Sequence, residues 1–275
     1  MKKVLLFTLL LAFNFFEAQQ KPSTATENVR LVAEDFAVPQ LNTTRRIWIY
    51  LPPDYSKNST RYNVLYLQDG QNLFDEATSF AGEWHIDETL NRLSAMGHKN
   101  SIVVGIDNGG AARTAELSPF VNNKYVSGQG DRYAAFIVET LKPYIDKNYR
   151  TRSSAAHTTI GGSSLGGLIS VYAGVKYPKV FGNVLAFSPA FWFNEKELNS
   201  YIAQVDHRLS CQKYYFIQGK NESSDMEEQT LAIIEKLRSK KVKEKNIYFK
   251  TDEHGAHNEA SWSRYFPAAY LWFGF

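Results

Sequence analysis

His157-Thr-Thr-Ile-Gly-Gly-Ser-Ser-Leu-Gly-Gly167 decides the fold of this chain. An apolar-tending segment ends in a glycine pair, two serines follow, and Leu165 leads into a run of helical periodicity, Leu168-Ile-Ser-Val-Tyr-Ala-Gly-Val-Lys-Tyr177. Within it, Gly162-Ser-Ser-Leu-Gly166 is a G-x-S-x-G pattern centred on Ser164. A serine at the tip of a sharp strand-to-helix turn has a strained backbone and an exposed hydroxyl, and small neighbours let the two arms of the turn pass closely. The amide of Leu165 then points to where an oxyanion would form, beside the positive end of the following helix. Five small residues in a loop also arise by accident, so the pattern needs its context: a strand before, a helix after, and then an acid and a histidine in that order.

Working outward, short apolar runs alternate with helical ones. Val29–Phe36 and Arg45–Leu51 alternate in hydropathy and read as an antiparallel strand pair. Asn63–Gln68 and Ile102–Ile106 read as buried strands, and the segment before Gly161, Val184–Pro189, Tyr214–Gly219 and Ile247–Lys250 as further strands. Helices are expected over 82–93, 131–149, 165–177, 225–240 and 257–275, with Pro143 warning against a straight second helix. The pattern predicts an α/β fold: a mostly parallel sheet covered by helices on both faces, opened by the antiparallel pair. Ligands in such a sheet sit beyond the carboxyl ends of the strands, where the polar loops 69–75 and 107–119 fall.

The N-terminus carries two lysines, an apolar run of about ten residues and Ala18, which reads as a secretory signal peptide over residues 1–18. Residues 19–28 read as a flexible leader and 29–275 as one catalytic domain. The expected location is periplasmic or secreted, with no stable membrane insertion after cleavage. A formal charge of +3 with no basic surface pattern beyond Arg238–Lys245 argues against nucleic acid. Cys211 is the one cysteine, so no internal disulfide forms. Dinucleotide and phosphate-loop patterns are lacking, and His254-x-x-His257 has no third ligand nearby, so neither cofactor nor metal is expected.

The base should follow the last strand. His257 is preferred to His254, because Gly255 would let the chain turn and aim the later residue inward. The loop after the Tyr214 strand offers Glu222, with Asp225 as the alternative acid; Asp225 has a competing use at the start of the next helix. A second oxyanion donor is expected from Gly70 or Gln71, with Asp69 as a brace. Arg113 and Glu116 are either a pair at the mouth or an ordinary surface salt bridge. Phe191 and Trp192, with Phe193, either line a substrate pocket or pack under a loop.

With these parts in place the chain resembles the putative-esterase family of α/β hydrolases, the group that includes esterase D, enterochelin esterases and bacterial feruloyl esterases. The resemblance covers about residues 44–275. It is carried by Tyr66–Asp75, Val104–Gly110, Arg113 with Glu116 and Pro119, Phe136–Ile145, Gly161–Gly167, Ser188-Pro189 and Gly255–Trp262. It implies Ser164 as nucleophile, His257 as base and an acid at Glu222, where relatives often carry aspartate. It also implies a small-molecule or oligosaccharide ester as substrate: short acyl, phenolic or carbohydrate, or siderophore-type. Acyl transfer to an alcohol acceptor, or glycan binding on a degenerate esterase fold, are the alternative functions.

Overall fold

The computed structural model describes residues 21–206 and 209–275; the signal peptide expected over 1–18 lies outside them. Eight strands form one sheet in the order β1-β2-β4-β3-β5-β6-β7-β8. They are β1 (Val29–Val38), β2 (Thr43–Tyr50), β3 (Asn63–Gln68), β4 (Ser101–Ile106), β5 (Thr158–Ser163), β6 (Asn183–Phe187), β7 (Lys213–Gly219) and β8 (Ile247–Asp252). β1 and β2 run antiparallel, β2 joins β4 antiparallel, and every pairing from β4 to β8 is parallel.

The period of two along each central strand builds two cores. In β3, Val64 and Tyr66 face one cluster, whereas Leu65 and Leu67 face the other. The first is covered by α3 (Gly130–Phe136), α4 (Lys142–Asn148), α5 (Leu165–Lys176), α6 (Glu195–Gln204) and α7 (Met226–Ser239). The second lies under α1 (Ile86–Ala95) and α8 (Glu259–Phe273), where Trp84 stacks on Phe187 and meets Trp262 at a tilt, and Tyr265 meets Phe187 edge-on. α2 (Arg113–Glu116) is a single turn.

Two helical details depart from the sequence expectation. The span 131–149 is not one helix: a π turn over Ile137–Leu141 separates α3 from α4. Pro143 has no N–H to give the carbonyl four residues back, and the wider turn accommodates that loss. α6 was not expected at all; Leu198 and Ile202, four apart, are its only buried side chains, and the aromatic run before it draws the eye to a loop.

The segment expected to be a flexible leader has fixed partners in its described part. Asp75 takes the Ser23 hydroxyl at 2.8 Å and the Thr24 N–H at 3.1 Å, Glu83 takes the Thr24 hydroxyl at 2.6 Å, and Asp87 takes the Thr26 N–H at 2.8 Å. Among the described residues, no helix is long and apolar enough to cross a membrane.

Candidate active site

β5 ends in the turn that presents Ser164, whose backbone sits at φ 55° and ψ −123°. A non-glycine residue there stores roughly 1–3 kcal/mol of strain and persists only where the surroundings dictate it. They do. Ser164 N–H donates to the Phe187 carbonyl at 3.0 Å, and the Ser164 carbonyl accepts from Ala190, Gly167 and Leu168 at 3.0–3.1 Å. A Cβ on Gly162 would come within 3.0 Å of the Gly166 backbone, so the two arms cross where only hydrogen atoms fit. Leu165 opens α5, where first-turn N–H groups have no carbonyl of their own helix to bond.

The candidate acid and base, Glu222 and His257, come from the loops after β7 and β8. His257 Nδ1 lies 2.8 Å from Glu222 Oε2. The other carboxylate oxygen, Oε1, accepts from Gly219 N–H at 2.6 Å and from the Ser188 hydroxyl at 2.8 Å. Ser188 in turn accepts Trp262 Nε1–H at 2.9 Å, and the Trp262 ring meets the imidazole edge-on at 5.1 Å. Burial pushes the Glu222 carboxyl up, but the hydrogen bonds from His257, Gly219 and Ser188 outweigh it and hold the group below its ordinary value. Asp225, the alternative acid, is exposed at the head of α7 and takes the Ser224 hydroxyl at 2.9 Å.

Gly255 closes the turn expected of it, its N–H donating to the Asp252 carbonyl at 3.0 Å, and serves the arrangement in a second way. Its φ is not in the left-handed region; what matters is close approach. A Cβ on Gly219 would lie 2.2 Å from the Gly255 carbonyl carbon, and one on Gly255 would lie 2.0 Å from the Tyr265 hydroxyl. Two glycines in backbone contact bring the Glu222 loop and the His257 loop together.

Gly70–Asn72 forms a tight turn directly after β3, preceded by Asp69 in the left-handed region at φ 57°. Asp69 braces it: Oδ1 accepts Arg113 Nε and Asn108 Nδ2, both at 2.6 Å, and Oδ2 accepts Arg113 Nη2 at 2.8 Å. Gln71 Oε1 accepts the Asn108 N–H at 3.1 Å, tying the turn to the loop after β4. A Cβ on Gly70 would strike the β4 backbone at 2.8 Å.

Ser164 and His257 line one cavity of about 240 Å³ with Asp69, Asn72, Phe80, Arg113, Glu259 and Trp262 among its walls. Three sequence expectations are corrected. Arg113 pairs with Asp69 rather than Glu116, because the α2 turn faces it toward the β3 loop; Glu116 is buried against Arg45 of β2. Phe191 is fully buried against Phe216 and belongs to the core. Trp192 borders a separate groove with Val121, Lys124 and Phe193. In their place stand Asn72, Phe80, Glu259 and Trp262. The latter two follow His257 by two and five residues, a proximity that places them beside the base once the helix start is known.

A family model described as "Putative esterase" matches residues 39–273. An uncharacterized protein of Bacillus subtilis, YbbA, is 24% identical over 241 residues, covering 83% of this chain and 92% of that protein. The iron(III) enterobactin esterase of Dickeya dadantii is 30% identical over 183 residues, 65% of this chain; the chain spans 37% of that relative's length. The solved structure of a ferulic acid esterase superposes with a TM-score of 0.68 at 20% identity, covering 90% of this chain and 98% of that one. At that identity the likeness shows the fold.

Proposed function

The chain belongs to the Putative esterase family and is a carboxylic-ester hydrolase, and we propose that it works through a serine acyl-enzyme. The observation that carries this reading is the 2.8 Å bond between His257 Nδ1 and Glu222, in a cavity that also holds Ser164 on its strained turn.

With Nδ1 bound to the carboxylate, the imidazole keeps its lone pair at Nε2 and can take the Ser164 proton as Oγ attacks the ester carbonyl. Glu222 fixes that tautomer and stabilises the imidazolium. The tetrahedral oxyanion is held by Leu165 N–H and by an N–H of the Gly70–Gln71 turn. Collapse expels the alcohol, which leaves with the proton from His257. Water then attacks the acyl-enzyme by the reverse route and releases the acid.

A cavity of about 240 Å³ lies at or below the small end of the range for drug-sized ligands, about 300–1,000 Å³, which favours small esters or one arm of a larger one. Residues 1–18 are proposed as a signal for export to the periplasm or medium, which N-terminal sequencing of the secreted protein would test. Initial rates on p-nitrophenyl acetate and butyrate, methyl ferulate, an acetylated xylo-oligosaccharide and a catecholate triester, beside Ser164→Ala, test the mechanism. Hydrolysis abolished in the variant supports it; equal turnover by a folded variant refutes it.

A further inference from the structure

The charges around the cavity do not cancel. Among the described residues Arg113 is the one arginine or lysine on its wall, and two of its donors, Nε and Nη2, are already spent on the two oxygens of Asp69. A guanidinium held bidentately by a carboxylate presents a neutral pair to anything beyond it. His257 is backed in the same way by Glu222. That leaves Glu259. It is the first residue of α8, only 8% exposed, and it faces the same cavity as Ser164. Its Oε1 accepts one neutral donor, Asn72 Nδ2, at 3.1 Å. Within the cavity Glu259 is therefore a carboxylate outside any ion pair, with Arg113 acting on it only at longer range and already held by Asp69.

We propose that Glu259 makes this a charge-selective subsite, one that takes small esters carrying a hydroxyl or ammonium donor beside the scissile group and turns away esters carrying an anion there. This rests on the serine-esterase reading, and it narrows the substrates: polyhydroxy or cationic alcohols fit, whereas catecholate or carboxylate arms do not. An incoming anion would face a buried charge outside any ion pair, while a donor would add to the hydrogen bonds that Asn72 and the residue's own amide supply. Burial, with Asp69 nearby, raises the Glu259 carboxyl above its ordinary value against the opposing effect of its own amide, Asn72 and Arg113. The discrimination should accordingly strengthen as pH rises through that raised value.

The test uses four acetates of similar size: acetylcholine as the cation, glycerol monoacetate as the hydroxyl donor, 3,3-dimethylbutyl acetate as the neutral isostere and 3-sulfopropyl acetate as the anion. Rates are read by pH-stat on the full mature protein and on Glu259→Gln. The expected wild-type preference, cation over anion in kcat/KM, is about 30-fold, with the hydroxyl ester above the neutral isostere, falling to within about 3-fold in Glu259→Gln. A purely structural role for Glu259 would lower all four rates in parallel and leave their ratios alone. Flat ratios in the wild type, or ratios unchanged in the variant, would overturn the proposal. Calorimetric affinities of the same esters for Ser164→Ala read the discrimination without turnover, so a failure of the serine mechanism is told apart from a failure of the subsite.

Discussion

Glu222 holds His257 with one oxygen at 2.8 Å while its other oxygen is held by Gly219 N–H and Ser188. The carboxylate is thus fixed from behind before it orients the imidazole, and its side chain is only 1% exposed whereas the imidazole reaches solvent. A glutamate has one more rotatable bond than an aspartate, and these two rear contacts supply the rigidity that the shorter side chain would have had.

Glu222→Gln should therefore lower kcat by about 10³–10⁴-fold, because an amide can donate to Nδ1 and favour the wrong tautomer. Asp225→Asn should stay within about twofold of the parent, since its exposed carboxylate takes the Ser224 hydroxyl and lies outside the Glu222–His257 pairing. Steady-state kinetics on p-nitrophenyl acetate decide between the two; a larger loss in Asp225→Asn would move the acid there. Because Glu222 is held below its ordinary value, it favours folding at pH above the usual carboxylate range, and that contribution fades as pH falls through the depressed value.

Gly219→Ala should cost at least about 100-fold in kcat/KM, since the added methyl would meet the Gly255 backbone and no side chain can yield. Near-UV circular dichroism on the same sample separates misplacement of Glu222 and His257 from global unfolding. Parent-level turnover by the variant would show that the loops need not touch.

Arg45 and Glu116 are ion-paired with side chains only 9% and 5% exposed. Removing one charge leaves the other buried, so Glu116→Ala should destabilise the protein by about 3–5 kcal/mol in urea unfolding. Replacing both by apolar residues, Arg45→Met with Glu116→Leu, should recover most of that loss. Equal losses in the single and double variants would mean that packing, not charge, holds this corner.

The strands and the catalytic candidates were legible because each depends on local pattern. β3, β4, β6 and β7 are short, mostly apolar runs, the Ser164 turn is a five-residue pattern, and His257 follows the last strand as the chain order requires. What stayed hidden depends on partners distant in the chain. Arg113 and Glu116 are three residues apart, so sequence spacing favours pairing them, yet their partners lie at positions 69 and 45, brought up by the sheet. Phe191 and Trp192 are adjacent but have opposite fates, one buried and the other on a groove, which composition cannot separate. Gly255 reads as a turn residue and closes that turn, but its close approach to Gly219 is visible only when β7 and β8 are side by side.

Asp107 supplies a pH-dependent test of the loop after β4. Its Oδ1 accepts Trp48 Nε1–H at 2.8 Å, and burial pushes its carboxyl up to about 6 despite that bond. A carboxyl raised in the folded state favours folding below its unfolded value, about 3.9, and loses that contribution as pH rises through about 6. Above that, the ionised group opposes folding. Asp107→Asn keeps the acceptor for Trp48 and removes the charge, so its Tm should exceed the parent's at pH 8 by roughly 2–4 °C. At pH 4 the parent side chain is already protonated when folded and the gain should vanish. Differential scanning calorimetry of both proteins across that range reads the crossover, and a Tm difference independent of pH would mean that the Asp107 carboxyl is not raised by burial.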